Sequence, residues 1–219
     1  RVIAIMSKKN KQFSPNITSE LLKSKIENLF NESIEIKRKT LEKCSEQMIE
    51  ISDEISKALI KGNKILLCGN GGSASDAQHL AAELLIRLRS NINRQSLPAI
   101  ALTMDTSSLT ASGNDYSFEE YYARIIEALS KPGDLLIAIT TSGKSQNIIN
   151  ALKMAQSLKI TTIGLLGSDG GNAINYCDLK ILVPSNTTGR IQESHITIGH
   201  CIMELVEDIL IDKGFIICN

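Results

Sequence analysis

The sequence predicts an α/β fold, a doubly wound five-stranded parallel sheet flanked by helices, with an N-terminal helical extension. Five short apolar segments of the buried type recur at the spacing of βα units, and helical stretches lie between most of them. The first and third segments end in Gly/Ser-rich turns that lead into a helix. Because ligands bind at the carboxyl ends of strands in such sheets, these two turns are the first candidates for a binding site.

The composition of the 219-residue chain is that of an ordinary globular protein. Hydrophobic residues make up 42% and charged residues 22%, which argues against disorder. Lys and Arg number 24, as do Asp and Glu, so the zero net charge argues against nucleic-acid binding. No apolar run approaches the roughly 18 residues of a transmembrane helix, so no membrane partner is expected. The five cysteines form no CxxC pair, which favours reduced thiols and a cytoplasmic location.

The N-terminal part of the chain divides into a loose end and a helical extension. Residues 1–18 are expected to be flexible, whereas residues 19–61 follow a helical pattern. Six residues of the extension recur at 3-4-3-4 spacing and form one stripe: Leu41, Cys44, Met48, Ile51, Ile55 and Ala58. The stripe packs on the protein's own core or forms a helix–helix contact in an oligomer, and the two interpretations are compatible. Residues 62–219 form the predicted ligand-binding domain.

Strands and helices alternate within residues 62–219. The predicted strands are Lys64–Cys68, Pro98–Thr103, Asp134–Thr140, Thr161–Leu166 and Leu179–Val183. The predicted helices include Ala74–Leu88, Phe118–Leu129, Ser145–Leu158 and, last, about Ile191–Asp212.

The turn after the third strand, Thr140-Thr-Ser-Gly-Lys-Ser145, gathers hydroxyl groups at the start of a helix. Free N–H groups and the helix dipole favour a phosphate dianion there, although an ordinary Ser/Thr-capped loop is the structural alternative. The turn resembles the end of a nucleotide P-loop. That motif requires a glycine five positions before Gly143, where this chain has Ala138, so we reject a P-loop.

The turn after the first strand fits a relaxed dinucleotide fingerprint from Gly69 to Ala74. The acidic residue expected about twenty positions later is missing, since the nearest candidate, Asp105, lies 31 residues past Ala74. The fingerprint is therefore weak support for nicotinamide binding.

The three histidines have informative neighbours. His79 and Glu83 are spaced i, i+4 on one helix face, and Gln192, His195 and His200 gather on the last helix. Such side chains suit zinc or a similar divalent metal, although a surface His–Glu pair fits the spacing equally well. Gln192 and His200 would lie roughly 12 Å apart along a straight helix. One metal could take both only if Gln192 lies at the helix start or if subunits share the site.

Four segments carry a family resemblance: CGNGGSASDAQHLAAEL (68–84), SGND (112–115), TTSGKSQN (140–147) and RIQESHITIGHCIMELVE (190–207). They resemble the bacterial phosphoheptose isomerases, sugar-isomerase (SIS) domain proteins that convert sedoheptulose 7-phosphate to D-glycero-D-manno-heptose 7-phosphate. The resemblance runs over about residues 20–212 and implies that residues 62–219 are a SIS phosphosugar-binding domain. The phosphate turn is shared by SIS domains in general, whereas the His79–Glu83 pair and the motif from Gln192 to His200 distinguish the isomerases.

The resemblance also implies a role for each matching residue. The Zn²⁺ ligands would be His79, Glu83, Gln192 and His200. The phosphate would be held by Ser73, Thr140, Thr141, Ser142, Ser145 and the backbone of Asn70, Gly71 and Gly72. The sugar would be contacted by Asn114 and Asp115, and the substrate also by Glu83 and Gln192. Three features depart from the family: Thr140, where members often have Ser; Gly189, where some members carry Asp; and residues 91–97, to which we assign no role.

Ketose–aldose isomerisation through an enediol needs a base, an acid and stabilisation of the developing oxygen charge. We assign Glu83 as the base and His200 as the acid, with a metal as the Lewis acid. A carboxylate that also binds metal tightly is a poorer base, and that conflict stays open. His195 is expected to have a structural or supporting role, because five helical positions turn it about 140° from His200.

The leading hypothesis is an isomerase that catalyses the first step of nucleotide-activated heptose synthesis, for lipopolysaccharide or capsule. The alternatives are a non-catalytic SIS-domain protein that binds a phosphosugar or a replication-initiator partner, and a sensor or isomerase for another phosphosugar. A homo-oligomer is expected because the apolar stripe is long and the ligand set is spread over two helical turns. Two-fold arrangements are the default, and the resemblance implies a tetramer.

Overall fold

In the computed structural model, which describes residues 17–217, five parallel strands form one sheet in the order β2-β1-β3-β4-β5. The strands are β1 (Ile65–Gly69), β2 (Ala99–Ala101), β3 (Leu135–Thr140), β4 (Thr161–Gly167) and β5 (Leu179–Val183). The predicted doubly wound α/β fold is confirmed, and each predicted strand matches an observed one to within two residues at either end. Residues 1–16, most of the segment expected to be flexible, lie outside the described residues.

Six α-helices surround the sheet in the described part of the chain. They are α1 (Ser19–Ile60), α2 (Gly72–Leu85), α3 (Thr106–Asp115), α4 (Tyr121–Leu129), α5 (Gln146–Ser157) and α6 (Thr188–Asp212). The predicted helix over 118–129 begins as a single 3₁₀ turn before α4, and the predicted helix over 74–88 starts two residues earlier and ends three residues earlier. No sequence pattern predicted α3, which begins at an Asp105 cap that accepts hydrogen bonds from the Ser107 and Ser108 amides.

The long helix α1 contains two different surfaces. In its C-terminal half, five of the six stripe residues are buried against the chain's own core, which includes residues of α6 and β5: Cys44, Met48, Ile51, Ile55 and Ala58. The sixth, Leu41, is 62% exposed. The stripe is therefore an intramolecular surface. The exposed apolar side chains of α1 lie mainly in its N-terminal half: Leu21, Leu22, Ile26, Leu29, Phe30 and Ile34.

The central strands β1 and β3 are buried along their whole length, as their unbroken apolar sequences predict. One face of the sheet packs against α1, α2 and α6, and the other against α4 and α5. This layering places α2 and α6 side by side on the same face. Cys44, Cys68, Cys177 and Cys201 are free. Within residues 17–217, no helix has the length and apolarity needed to cross a membrane.

Candidate active site

Two helices start next to each other at the carboxyl edge of the sheet, because β1 and β3 are hydrogen-bonded neighbours and are followed by α2 and α5. The amide side chains of Asn70 and Asn147 tie the two starts together. Each side chain donates a hydrogen bond to the other, with both N–O distances at 2.8 Å. The two turns that the sequence singled out therefore form one continuous surface.

Both helix starts keep amide groups free for a ligand. The amides of Gly72 on α2 and of Gln146 and Asn147 on α5 have no hydrogen-bond partner among the described residues, whereas the Ser73 and Ala74 amides are bonded to carbonyls of the preceding turn. Unpaired N–H groups and two helix dipoles thus converge on this edge, an arrangement that favours an anion. Ser73 and Thr140 are buried beside it, whereas Ser142 is exposed and Ser145 is half-buried.

The turn after β3 holds its shape through internal hydrogen bonds. The Thr140 hydroxyl accepts a hydrogen bond from the Gly143 amide, and the Ser142 hydroxyl accepts one from the Lys144 amide. Gly143 has a φ of +62°, and a Cβ at this position would lie 1.9 Å from the Gly170 carbonyl oxygen. The turn therefore needs glycine at this position, for a structural reason that differs from that of a P-loop.

Three of the four predicted metal ligands meet between α2 and α6. His79 Nε2 lies 2.8 Å from His200 Nε2 and 3.1 Å from Glu83 Oε1. One ligand atom from each residue lies within 4.8 Å of the other two, which makes the group a possible metal site. The donor types fit zinc or a similar ion, while the 2.8 Å between the two nitrogens is about 0.5 Å shorter than the roughly 3.3 Å that separates two nitrogen ligands of one tetrahedral zinc ion.

The fourth predicted ligand, Gln192, lies near the start of α6 and next to the start of α2. Its Nε2 donates to both carboxylate oxygens of Asp76, at 2.7 and 2.9 Å. A Cβ on Gly72 would lie 3.5 Å from Gln192 Cγ. Gln192 therefore stands between the anion-binding edge and the histidine pair. Gln192 is the fifth residue of α6, so eight positions of regular helix separate it from His200, roughly 12 Å along the axis, and the condition of a ligand at the helix start is not met.

Asp76 is a site residue that the sequence reasoning missed. Asp76, His79 and Glu83 follow one another at i, i+3 and i+7, so one face of α2 carries all three, and that spacing was a usable signal. Burial raises the pKa of Asp76, while the hydrogen bonds from Gln192 and the nearby imidazoles of His79 and His200 act in the opposite direction.

His195 lies outside this cluster. Its ring is fully buried, and neither ring nitrogen has a hydrogen-bond partner within the described residues. Burial lowers the pKa of His195 to about 4, so the ring is neutral at physiological pH. This surrounding is that of a core residue, in line with the structural role expected for it.

Asn114 and Asp115 lie at the end of α3, and both are exposed. Asn114 Nδ2 donates to Asp115 Oδ1 at 2.7 Å. Asp115 lines a cavity of about 680 Å³ between α3 and α4 that includes Met104, Tyr121 and Arg124. No hydrogen bond in the described part of the chain joins either residue to the histidine cluster, so their proposed contact with sugar hydroxyls rests on the family resemblance.

Comparison with known proteins agrees with this geometry. A model of the SIS domain family matches residues 28–167. The chain is 50% identical over 190 residues to a phosphoheptose isomerase of Aquifex aeolicus, covering 87% of this chain and 98% of that protein. The structures of phosphoheptose isomerases from Neisseria gonorrhoeae and Francisella tularensis match with TM-scores of 0.81 and 0.82, at 38% and 36% identity. These matches cover 85% and 88% of this chain, and 99% and 100% of those structures.

Proposed function

Because the chain belongs to the SIS domain family, and within it to the phosphoheptose isomerases, we propose that it converts D-sedoheptulose 7-phosphate to D-glycero-D-manno-heptose 7-phosphate. The observation that carries the proposal is the cluster of His79, Glu83 and His200 on the two helices beside the anion-binding edge. Membership in a family of isomerases makes the chain an enzyme and displaces the non-catalytic alternative.

The phosphate is proposed to bind where α2 and α5 begin, through the hydroxyls of Ser73, Thr140, Thr141, Ser142 and Ser145 and the backbone of Asn70 to Gly72. His79 lies seven residues along α2 from Gly72, roughly 10 Å along the helix axis. An extended sugar phosphate anchored at the helix start would place its other end near the cluster. The anchor therefore positions C1 and C2 for the reaction and leaves the chemistry to other residues.

Glu83 and His200 supply the proton transfers in this proposal. Glu83 removes the proton from C1 and returns it to C2, while His200 moves the hydroxyl proton from O1 to O2, so every proton is accounted for. Glu83 Oε1 faces His79, which leaves Oε2 to act as the base. In this proposal, one carboxylate oxygen of Glu83 is the metal ligand and the other is the base.

The cofactor in this proposal is Zn²⁺, held by His79, Glu83, Gln192 and His200. When bound, it would act as a Lewis acid that lowers the energy of the developing oxygen charge. Asp76 supports this assignment, because a carboxylate that accepts both bonds from the Gln192 amide nitrogen leaves Gln192 Oε1 as the ligand atom.

We further propose a homo-oligomer, in which the N-terminal half of α1 is the contact surface, and a tetramer as the family resemblance implies. This half of α1 exposes six leucine, isoleucine and phenylalanine side chains. Such a large exposed apolar surface is unfavourable for a monomer in water. A cytoplasmic location and a place at the first step of nucleotide-activated heptose synthesis are parts of the same proposal.

The deciding experiment is incubation of the purified protein with sedoheptulose 7-phosphate, with and without a chelator, followed by separation of the isomeric products. Glu83→Gln should abolish conversion while the protein stays folded. Glu204→Gln is the matched control, because Glu204 is exposed on α6 one turn beyond His200 and should retain activity. Conversion that survives in Glu83→Gln would remove Glu83 from the mechanism.

A further inference from the structure

The loop between α2 and β2 contains a buried arginine that binds the end of α2. The side chain of Arg94 is 1% exposed. Its Nη2 donates to the Glu83 carbonyl at 2.6 Å, and its Nη1 donates to the Leu84 carbonyl at 3.0 Å. These carbonyls belong to the last four of the helix, which have no partner within it. Arg94 therefore caps the C-terminal end of α2 at Glu83, whose carboxylate is the proposed base.

The same guanidinium also binds α6. Arg94 Nε donates to Glu207 Oε1 at 2.6 Å, and Glu207 is 2% exposed. The other carboxylate oxygen of Glu207 accepts a bond from Arg89 Nε, also at 2.6 Å. Glu207 follows His200 by seven residues, which is about two helical turns and returns to the same face of α6. Arg94 thus joins the helix of Glu83 to the helix of His200.

The geometry of these bonds makes Arg94 a rigid connection. A guanidinium is planar, and its donors have fixed directions, so bonds to Glu83, Leu84 and Glu207 together define the separation and rotation of the two helix segments. The Arg94 guanidinium and the Glu207 carboxylate are both removed from solvent, so the ion pair is held in one arrangement. The Arg89 side chain, by contrast, binds Glu207 and contacts Asp208, and both of these partners are on α6.

We propose that Arg94 is a positioning residue for the isomerase reaction: its bond to the Glu83 carbonyl and its ion pair with Glu207 set the distance between Glu83 and His200. This inference rests on the proposed function, because Glu83 and His200 are its base and acid. It also gives a role to residues 91–97, the segment that the sequence left without one.

The test compares Arg94→Lys with Arg89→Lys, which keep the charge and remove the guanidinium geometry at two neighbouring positions. Arg94→Lys should lower kcat for sedoheptulose 7-phosphate by about tenfold or more, since small misplacements of catalytic groups have effects of this size. Its KM should stay within about twofold, because the phosphate binds at the other end of α2. Arg89→Lys should change both constants by less than about twofold.

Crystal structures of the same two variants provide a readout that needs no turnover. In Arg94→Lys, the Glu83 carboxylate should move relative to His200 by about half an ångström or more, the scale at which active-site geometry is lost. Glu207→Gln keeps an acceptor for Arg94, so the Glu83 carboxylate should move relative to His200 in the same direction but by a smaller distance. An unmoved Glu83 with wild-type kcat in Arg94→Lys, or an equal loss of kcat in Arg89→Lys, would overturn the inference. A wild-type protein without turnover would instead contradict the proposed function, and the crystal structures would still decide the positioning role.

Discussion

Gly199 controls how closely α6 can pack against α2 beside the histidine pair. A Cβ at this position would lie 2.6 Å from both Cδ atoms of Leu80, which is fully buried. Gly199 precedes His200, and Leu80 follows His79, so this contact lies next to the proposed metal ligands. We predict that Gly199→Ala separates the two helices and reduces both stability and activity.

The expected magnitude follows from this contact. Carbon atoms pack at about 3.5–4.0 Å, so the added methyl lacks roughly 1 Å of space. Overpacking of this kind costs about 1–3 kcal/mol, offset by up to about 1 kcal/mol from the higher helix propensity of alanine. A net loss of about 1 kcal/mol lowers Tm by roughly 2–4 °C for a chain of this size. A shift of about 1 Å between His79 and His200 should lower kcat by tenfold or more.

Differential scanning calorimetry and steady-state kinetics on Gly199→Ala, Gly189→Ala and the wild type test this prediction. Gly189 is on the same helix, and a Cβ there would meet nothing within 4 Å, so Gly189→Ala should keep or slightly raise Tm and leave kcat unchanged. Leu80→Ala combined with Gly199→Ala should recover part of the lost kcat by making room. A Gly199→Ala protein with wild-type Tm and kcat would refute the argument that this contact sets the helix separation.

Three further predictions concern other parts of the molecule. Ser142→Ala should raise KM for sedoheptulose 7-phosphate more than it lowers kcat, since it removes binding shared by ground and transition states, and an unchanged KM would place the phosphate elsewhere. Burial lowers the pKa of His195 from 6.5 to about 4 in the folded protein. Between these two pH values the unfolded chain binds a proton that the folded chain does not. The free energy of unfolding should therefore fall by up to about 3 kcal/mol as the pH is lowered from 6.5 to 4. His195→Leu should flatten this dependence in urea titrations, and a slope equal to that of the wild type would argue against it. Phe30→Glu should dissociate the oligomer in light scattering while the protomer stays folded, because Phe30 is 67% exposed. Lys43→Glu, at an exposed position in the C-terminal half of α1, should leave the assembly intact, and a Phe30→Glu protein of unchanged mass would remove this face from the interface.

The strands could be predicted because their information is local. β1 and β3 are unbroken apolar runs, and burial on both faces requires such runs. The helix α3 could not be predicted in this way, because Ser112 is its one buried residue and its sequence has no apolar period. The stripe on α1 was visible, but its partner was not: periodicity shows that a face is apolar and leaves open whether the chain itself or a second copy covers it.

The site shows the same division between local and distant information. The i, i+4 pair His79–Glu83 was visible on one helix, and Asp76 could have been found by extending the same face backwards. The approach of His200 to His79 depends on the packing of α2 against α6, which brings together residues 121 positions apart in the chain. Arg94 carries no sequence signal of its role, since its partners Glu83 and Glu207 become neighbours only in the folded chain.

The most direct test of the central claim is the fate of the transferred hydrogen. The reaction is run in D₂O with sedoheptulose 7-phosphate, and the aldose product is examined by NMR. The side chains of His79 and Glu83 are 48% and 14% exposed, so a proton held by Glu83 can exchange with solvent during the enediol's lifetime. The account predicts deuterium at C2 of the heptose 7-phosphate product. Product that retains the original hydrogen at C2 in full would contradict proton transfer through Glu83 and indicate a direct hydride shift instead.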